Sequence, residues 1–542
     1  MEKPFAITLD VGTSLANHTG SWRNERPVYV DLMPPCNHGC PAGENIQGWL
    51  YHAEEGDYEA AWRRLVEENP FPAVEGRVCY HPCENACNRG QLDEAVNIHA
   101  VERFLGDEAL KHGWKIEAGA PTGKHVLVVG AGPSGLSAAW HLRRLGHDVT
   151  LHDAGPMAGG MMRFGIPKYR LPRDILDGEI ARIVDMGVKI ELNSKVSDIP
   201  GMMKEGGFDA AFVAVGAHLA KRTDIPAREA GKILDAISVL RGIETDDEPP
   251  LLGRRVVVYG GGNTALDMAR TAKRLGASEA LVVYRRSREQ MPAHDIELEE
   301  ALDEGVMLHW LTTIKQIDGT TFTVEKMKVD EDGWPQPTGE FETLEADTLV
   351  LALGQAVDTG FLEGIPGVKI TKDGVIDVDS AMMTGYPGLF AGGDMVPAER
   401  TVTVAVGHGK KAARNIDRWL RGEAPAQRNG ARLAGYERLN TWYYTDADKT
   451  VQPELDLIRR QTTFDEIHGG LDETNALFEA RRCLSCGNCF ECDNCYGICP
   501  DNAVKKLGPG KRFEFNYDFC KGCGLCAAEC PCGAIDMVPE RM

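Results

Sequence analysis

Residues 125–135 read His-Val-Leu-Val-Val-Gly-Ala-Gly-Pro-Ser-Gly, and this stretch decides the fold. Its apolar start predicts a buried strand, and Leu136–Leu145 predicts the helix that follows. Glycines at this spacing between a strand and a helix let the backbone approach a pyrophosphate at the helix N-terminus. The next strand, Asp148–His152, ends at an acid that can accept from a ribose hydroxyl. The sequence therefore predicts a Rossmann-like dinucleotide site formed by Gly130, Gly132, Pro133, Ser134, Gly135 and Asp153.

A second glycine-rich loop follows another apolar strand, Val256–Tyr259. The strand after this loop, Ala280–Tyr284, ends in arginines instead of an acid. An acid would favour the 2′-hydroxyl of NAD, whereas guanidinium groups can pair with the 2′-phosphate of NADP. A solvated basic turn is the alternative, so NADP(H) is favoured over NAD(H) without excluding it. The predicted NAD(P) residues are Gly260, Gly261, Gly262, Asn263, Thr264, Asp267, Arg285 and Arg286.

The cysteines lie at the two ends of the 542-residue chain. Five of the sixteen lie between Cys36 and Cys87, and eleven lie between Cys483 and Cys532. Such clustering, without a recognisable export signal, indicates metal or redox sites rather than disulfides. The formal net charge of −22 argues against a nucleic-acid partner. No apolar run reaches the ~20 residues that span a bilayer, so we expect a cytoplasmic location without a membrane span.

The C-terminal tail contains a doubled four-cysteine motif. Residues 489–499 read Cys-x2-Cys-x2-Cys-x3-Cys before Pro500, and residues 520–530 repeat the pattern before Pro531. In this motif three cysteines bind one [4Fe–4S] cluster and the fourth reaches the other. Zinc also uses Cys-x2-Cys pairs, but it does not explain the doubled run. We therefore predict two clusters, bound by Cys489, Cys492, Cys495 and Cys530 and by Cys499, Cys520, Cys523 and Cys526, with Cys532 as a spare thiol.

Several motifs between about residue 35 and about residue 420 resemble those of one known family. They are the cysteine spacing from Cys36 to Cys87 and the segments Asn45-Ile46, Gly76–Cys79, Tyr169–Pro172 and Tyr284–Arg286. This part is similar to the small, reducing subunit of bacterial glutamate synthase and to the same module in dihydropyrimidine dehydrogenase and NADH-dependent ferredoxin:NADP oxidoreductase. The segment Gly388–Asp394 separately resembles the closing FAD motif of two-dinucleotide-domain flavoproteins. The tail resembles bacterial two-cluster ferredoxins.

This resemblance implies which nucleotide each glycine loop binds. Two-dinucleotide-domain flavoproteins thread an NAD(P) domain into an FAD domain, so the first loop would bind FAD and the second NAD(P)H. Asp394 would bind the ribityl–phosphate region of the flavin. The alternative of two nicotinamide sites leaves the Gly393–Asp394 signature without a role. The FAD site predicted from the resemblance is completed by Gly160, Met161, Arg170, Gly393 and Asp394.

The N-terminal cysteines depart from the family pattern. Relatives bind two [4Fe–4S] clusters here and carry a Cys-x2-Cys pair before the position of Cys36, where this chain has residues 28–34 without cysteine. We hypothesise that Cys483 and Cys486 fold back to complete this site. One cluster would then be bound by Cys36, Cys87, Cys483 and Cys486. The other would be bound by Cys40, Cys79, Cys83 and a fourth ligand, which the resemblance implies is Glu102, because relatives use a Gln or Glu from the segment matching Asn97–Phe104. In the alternative, Cys483 and Cys486 are idle and the N-terminal domain holds one cluster.

The predicted fold class is multidomain α/β. The domains are expected to be an N-terminal arm (1–34), a helical Fe–S domain (35–119), an FAD-binding domain (120–225 and 346–424), an inserted NAD(P)-binding domain (226–345), a connector (425–481) and a ferredoxin-like domain (482–542). The connector is expected to wrap back toward the N-terminal domain, and a free tether is the alternative. The arm could contact either the fold or a partner.

Together, motifs and resemblance predict an FAD- and iron–sulfur-dependent NAD(P)H oxidoreductase that acts as a subunit. The expected cofactors are FAD, NADP or NAD and four [4Fe–4S] clusters. The expected partner is ferredoxin or a larger catalytic subunit, such as a 2-oxoacid or aldehyde oxidoreductase. Because cofactors supply the chemistry, no catalytic acid or base is predicted. The alternatives are the reductase subunit of glutamate synthase and a non-catalytic Fe–S scaffold.

Overall fold

The computed structural model describes residues 18–540 apart from 222, 224, 229–231, 246–249 and 427–429. Residues 1–17 of the predicted arm lie outside the described residues. The predicted multidomain α/β architecture is confirmed, with helices first, two nucleotide-binding sheets next and a small cysteine-rich unit last. Within the described residues, none of the helices is both long and apolar enough to cross a membrane.

The N-terminal part consists of one short strand and six helices: β1 (Glu25–Tyr29), α1 (Pro35–Gly39), α2 (Ile46–Glu54), α3 (Tyr58–Leu65), α4 (Pro72–Val78), α5 (Pro82–Asn85) and α6 (Ile98–His112). Helices α4 and α6 cross in close contact because glycines lie at the crossing. A Cβ atom on Gly106 would lie 2.2 Å from the backbone nitrogen of Ala73. This close approach brings Cys79, just after α4, near Glu102 on α6.

The first nucleotide unit is a parallel sheet covered by helices. It contains β2 (His125–Val129), α7 (Pro133–Arg144), β3 (Asp148–His152), α8 (Met161–Phe164), α9 (Arg173–Asp185), β4 (Lys189–Glu191), α10 (Ile199–Glu205), β5 (Ala210–Val213) and β6 (Ala217–Ala220). The strand order is β17-β5-β2-β3-β4, where β17 (Leu389–Ala391) comes from the chain after the second unit. Proline at the first position of α7 starts the helix without losing a hydrogen bond.

The second nucleotide unit contains β7 (Ala227–Arg228), β8 (Lys232–Asp235), α11 (Ala236–Thr245), β9 (Arg255–Tyr259), α12 (Asn263–Arg274), β10 (Glu279–Val283), α13 (Asp295–Asp303), β11 (Met307–His309), β12 (Thr312–Asp318), β13 (Thr321–Val329), β14 (Pro335–Glu345) and β15 (Thr348–Leu351). Its parallel sheet has the order β11-β10-β9-β15-β8, and β7, β12, β13 and β14 form a second sheet. The chain leaves the first unit through β6 and returns through β16 (Gln355–Val357), which pairs antiparallel with β6. The second unit is therefore an insertion.

One predicted domain boundary is wrong. The predicted inserted domain ends at residue 345, which places the next apolar strand in the FAD domain. In the structure β15 pairs with β9 and β8, in the middle of the second sheet. A short apolar strand fits the centre of either parallel sheet, so its composition alone does not assign it.

The C-terminal part begins after α14 (Val402–Leu420) and contains α15 (Leu457–Thr462), α16 (Glu473–Arg481), α17 (Asn494–Ile498), β18 (Val504–Lys506), β19 (Phe513–Phe515), α18 (Leu525–Ala528) and β20 (Ile535–Pro539). Strand β1 from the N-terminus pairs antiparallel with β20, with Glu25 opposite Pro539 and Tyr29 opposite Ile535. The described part of the predicted arm is therefore a strand of the C-terminal unit, because its backbone completes the exposed edge of β20.

The connector packs against the N-terminal helices. Asn88 Nδ2 donates to the Ala434 carbonyl at 2.9 Å, and Asn97 Nδ2 donates to the Thr450 carbonyl at 3.0 Å. Arg89 donates to the carbonyls of Thr445 and Arg482 at 2.9 and 3.0 Å. A free tether is thus excluded for the described part of the connector, which returns the chain to the N-terminal cysteines.

Candidate cofactor and cluster sites

A cavity of about 400 Å³ lies between the two nucleotide units. Its volume is within the range of small-molecule and cofactor sites. The cavity is lined by residues from the first loop and its surroundings, including Gly130, Gly132, Pro133, Ser134, Asp153, Gly160, Met161, Gly393 and Asp394. Asn263, Thr264 and Asp267, at the start of α12, line the same cavity. The first glycine loop and the residues that follow the second glycine loop therefore line the same cavity.

The first loop lies too close to its neighbours to carry larger side chains. A Cβ atom on Gly135 would lie 1.9 Å from the Gly130 carbonyl oxygen, and one on Gly160 would lie 2.7 Å from Gly132 Cα. Gly130 has φ of +109°, which few other residues adopt, and its Cβ would meet the Ala214 carbonyl at 2.3 Å. The glycines therefore leave the backbone bare at the cavity wall.

Polar groups at this wall fit a phosphate- and ribose-bearing ligand. Ser134 Oγ is buried and has no hydrogen-bond partner among the described residues, and a phosphate oxygen would satisfy it. The Asp153 carboxylate accepts from the backbone N–H groups of Ala131 and Gly155, both at 2.6 Å, which fixes it at the end of β3. Burial raises the pKa of Asp394. The residues present fit a bound flavin nucleotide.

The second loop makes an equally close turn. Gly260 has φ of +153°, and a Cβ there would lie 2.2 Å from the Ala352 carbonyl oxygen; a Cβ on Gly261 would lie 2.4 Å from the Tyr284 ring, whereas Gly262 faces open space. Asn263 Nδ2 donates to the Tyr80 hydroxyl at 2.7 Å. The chain after the N-terminal cysteine Cys79 therefore contacts the start of the second nucleotide helix.

Two residues predicted for different cofactors bind each other. Arg170, assigned to FAD, forms an ion pair with Asp267, assigned to NAD(P), at 3.0 Å, and it also pairs with Glu297. All three are buried or nearly so, and Arg170 and Asp267 line the large cavity. The pair joins the two nucleotide units at the cavity wall. Direct contacts of Arg170 and Asp267 with cofactors stay predictions.

The arginines after β10 occupy a different place. Arg285 is exposed, and Arg286 lies over the Trp334 ring, with its guanidinium carbon 5.1 Å from the ring centroid. Arg286 Nε is buried without a hydrogen-bond partner among the described residues. Both follow Tyr284, whose ring covers Gly261. Their position beside the second loop suits a group at the ribose end of a nucleotide.

The predicted ligands Cys40, Cys79, Cys83 and Glu102, here called the N-terminal site, surround one small cavity. Burial raises the pKa of all four groups, and it raises the pKa of neighbouring Glu75 to about 8. Asn69 Nδ2 donates to Glu102 Oε1 at 2.9 Å. Ionising three thiols and a carboxyl group in a buried site is costly unless they bind a metal, and iron would be bound by these sulfur and oxygen atoms, so this donor set fits a cluster.

The predicted ligands Cys36, Cys87, Cys483 and Cys486, here called the bridging site, line a second small cavity. Burial raises the pKa of the Cys36 thiol, which lies close to the other three. Asn88 Nδ2 donates to Cys486 Sγ at 3.4 Å, and the Leu32 N–H donates to the Gly487 carbonyl at 3.1 Å. The structure thus brings together two cysteine pairs from opposite ends of the chain.

The remaining predicted ligands form two groups, here called the tail sites. Cys499, Cys520, Cys523 and Cys526 line one cavity. The other group lies close enough together for its thiols to raise the pKa of their neighbours: Cys489, Cys492, Cys495 and Cys530. Cys532 is buried, with its sulfur 3.7 Å from Cys530 Sγ. All sixteen cysteines are free of disulfides, so every one is chemically able to act as a ligand.

The wall between the large cavity and the N-terminal site is one residue thick. Val78 and Tyr80 line the large cavity, while Cys79 between them lines the N-terminal site. Likewise Val402 lines the large cavity, and Thr403 Oγ1 lies 3.1 Å from Cys79 Sγ. Tyr80, Thr403 and Asn88 are not among the site residues predicted from the sequence. Tyr80 could have been predicted as a site residue because it directly follows Cys79, whereas no local motif indicates Thr403.

Comparisons with known proteins agree with this arrangement. A family model described as pyridine nucleotide-disulphide oxidoreductase matches residues 107–409. One described as dihydropyrimidine dehydrogenase domain II, 4Fe-4S cluster, matches residues 25–114, and a 4Fe-4S binding domain matches residues 513–536.

Curated relatives match across most of the chain. The NADP(+)-dependent formate dehydrogenase subunit beta of Moorella thermoacetica is 37% identical over 507 residues, covering 84% of this chain and 71% of the relative. The NADPH-Fe(3+) oxidoreductase subunit beta of Geobacter sulfurreducens is 33% identical over 512 residues, covering 83% and 75%. The glutamate synthase [NADPH] small chain of Escherichia coli is 32% identical over 419 residues, covering 71% and 89%.

Proposed function

We propose that this chain, which belongs to the pyridine nucleotide-disulphide oxidoreductase family, passes electrons between NAD(P)(H) and a protein partner. Within that family it is similar to the small chain of glutamate synthase, and it carries a ferredoxin-like tail in addition. It is an NAD(P)H-dependent FAD and iron–sulfur oxidoreductase subunit. Beyond this, we propose how many clusters the chain binds, which residues bind them and what kind of partner it serves. Electrons could flow in either direction between NAD(P)(H) and that partner.

The observation that carries the proposal is the adjacency of the large cavity and the N-terminal site across Cys79. FAD and NAD(P)H exchange hydride when bound, and a flavin can pass the two electrons on singly. The first loop would hold the FAD pyrophosphate and Asp153 the ribose, while the second loop would hold the nicotinamide nucleotide against the same cavity. The buried Arg170–Asp267 pair keeps the two units in register.

From the flavin, four clusters would lead outward. The N-terminal site comes first, because Cys79 shares a wall with the large cavity. The bridging site follows, since Cys83 of the former and Cys87 of the latter lie one helical turn apart, on and just after α5. Cys486 and Cys489 then lead directly into the tail sites. Cys492 and Cys523 are exposed and mark where electrons would reach a partner.

The nucleotide is proposed to be NADP(H). Arg285 and Arg286 stand beside the second loop where NAD-binding relatives of the fold place an acid. The names of the three relatives above all contain NADP or NADPH. Replacing both arginines with alanine is expected to lower kcat/KM for NADPH at least tenfold and to leave that for NADH nearly unchanged. An equal loss with both nucleotides would contradict this assignment.

The partner is proposed to be a larger catalytic subunit. Two relatives that span more than four fifths of this chain are named as beta subunits, one of a formate dehydrogenase and one of an Fe(3+) oxidoreductase. Candidate partners are therefore a formate-, 2-oxoacid- or aldehyde-oxidising enzyme, with ferredoxin as the small-protein alternative. Anaerobic affinity purification from the native cells would identify it. A co-purifying catalytic oxidoreductase supports the proposal, and a glutamine-amidotransferase subunit would instead favour the reductase subunit of glutamate synthase.

The proposed ligands of the bridging site are tested by changing Cys483 and Cys486 to serine together. The double variant is expected to lose roughly four irons per chain and to stop passing electrons to the tail, while NAD(P)H still bleaches the flavin. Cys532→Ser, at the spare cysteine of the same unit, is the matched control and should keep all of its iron. An unchanged iron content in the double variant would show that Cys483 and Cys486 do not bind a cluster. A failure of NAD(P)H to bleach flavin in the unaltered protein would favour a non-catalytic scaffold.

A further inference from the structure

Tyr29, outside the ferredoxin-like motif, contacts a cysteine of one tail site. Its hydroxyl oxygen lies 3.3 Å from Cys495 Sγ. The ring is held in place because β1 pairs with β20 and because Tyr29 stacks on Phe515, with the ring centroids 4.7 Å apart and the planes within 17°. The N-terminal strand therefore brings a fixed hydroxyl group to a predicted cluster ligand.

The direction of this hydrogen bond follows from the chemistry of the ligand. A free thiol and a phenol could each donate, but a cysteine bound to iron is a thiolate and has no hydrogen to give. Tyr29 is then the donor. A tyrosine hydroxyl has an ordinary pKa of about 10, so it carries the proton that this bond requires at neutral pH.

The two tail sites differ in this respect. Cys499 in the second site accepts from the backbone N–H of Ala503 at 3.3 Å, and Cys520 accepts from backbone at Gly522. Cys530 in the first site has a comparable backbone donor, the N–H of Ala534 at 3.3 Å. Among the hydrogen bonds of the described residues, two side chains outside the four-cysteine motifs contact a sulfur of a tail site, and both serve the first site. Tyr29 contacts Cys495, and the spare Cys532 lies 3.7 Å from Cys530 Sγ. The Tyr29 hydroxyl is the stronger donor of the two, because a thiol donates only weakly.

We propose that the Tyr29 hydroxyl raises the reduction potential of the cluster bound by Cys489, Cys492, Cys495 and Cys530 above that of its sister cluster. Reduction adds one electron to the cluster and increases the negative charge on its sulfurs. A hydrogen bond to a ligand sulfur stabilises that charge, which raises the potential. The electron in the singly reduced tail then rests on this cluster, beside the exposed Cys492. The inference rests on the proposed tail ligands.

The test is an EPR-monitored redox titration of Tyr29→Phe in the full-length protein loaded with its cofactors. Phenylalanine keeps the ring stack and removes the hydroxyl. The midpoint potential of one tail cluster is expected to fall, that of the other to stay, and iron per chain to remain unchanged. Tyr517→Phe is the matched control. The Tyr517 hydroxyl donates to the Pro27 carbonyl at 2.9 Å, so it joins the same strand to the same unit.

Two results would overturn the inference while leaving the proposed function intact. They are unchanged midpoint potentials in Tyr29→Phe with full iron, and an equal shift in Tyr517→Phe, which would make the effect structural. If Tyr29→Phe loses iron, 3-fluorotyrosine at position 29 replaces it as the test. Its hydroxyl is the stronger donor, so the same midpoint should rise, and an unmoved midpoint overturns the inference. Absence of tail clusters from the unaltered protein would overturn the proposed function first.

Discussion

The tail sites and the bridging site differ in how far apart along the chain their residues lie. All eight cysteines of the tail sites fall between residues 489 and 530, in runs whose spacing alone fits a cluster. The bridging site pairs Cys36 and Cys87 with Cys483 and Cys486, about 400 residues away. A local motif thus suffices for the first, whereas the second needs the connector and the N-terminal helices to be packed together.

The strongest test of this difference removes one ligand from each region. Cys87→Ala and Cys520→Ala should each lose roughly four irons per chain. Only Cys87→Ala is expected to loosen the connector as well, because the proposed bridging cluster would tie residues 483–486 to the chain just after α5. Limited proteolysis should then cleave the connector at least tenfold faster in Cys87→Ala, and electron flow from NADPH to the tail should stop. Equal protection of the connector in both variants would show that hydrogen bonds alone hold it.

A second test targets the helix crossing that shapes the N-terminal site. The Cβ atom of Gly106→Ala would lie 2.2 Å from the Ala73 backbone nitrogen, so α4 and α6 must move apart. We expect a loss of about 3 kcal/mol in the free energy of unfolding and partial loss of iron from the N-terminal site. The tail sites should keep their iron.

Gly90→Ala is the control for this variant, because the nearest atom to its Cβ would be 3.7 Å away. Thermal unfolding and EPR of the separate clusters measure both effects. Iron lost equally from the tail sites and from the N-terminal site in Gly106→Ala would contradict the independence of the two regions.

A third, pH-dependent effect is expected from a buried carboxylate that positions α4. Glu179 accepts from the backbone N–H groups of Ala73 and Val74 at 3.2 and 3.1 Å. Burial raises the pKa of Glu179 to about 7, although Arg182 opposes the rise. The unfolded chain, with a value near 4.5, releases this proton first. The free energy of unfolding should therefore fall by up to about 3 kcal/mol as the pH rises from 4.5 through 7.

Glu179→Gln should flatten this part of the pH profile, because glutamine does not titrate. Denaturant unfolding of both proteins between pH 5 and pH 8 measures the difference. Glu59→Gln, on the exposed face of α3, is the control and should leave the profile unchanged. A profile for Glu179→Gln as steep as that of the unaltered protein would assign the slope to other groups.

Much of this organisation could be predicted from the sequence because the signals are local. Gly130, Gly260 and the doubled cysteine run each act within about ten residues of chain, where spacing fixes geometry. The strand 348–351 was assigned to the wrong sheet, because the composition of an apolar strand does not indicate which strands it pairs with. Residues 1–34 are only weakly periodic, so the sequence did not decide whether they contact the fold or a partner. In the structure residues 25–29 pair with the free edge of β20.

The sequence by itself determined the two nucleotide loops and the tail cysteine motifs. It also suggested, through resemblance, the hypothesis that Cys36 and Cys87 share a cluster with Cys483 and Cys486. Only the tertiary structure decided that these four side chains meet, that Arg170 binds Asp267, and that Tyr29 reaches Cys495. The physical reason is range. Backbone geometry over a few residues is set by those residues, but contacts between distant segments depend on how whole helices and strands pack.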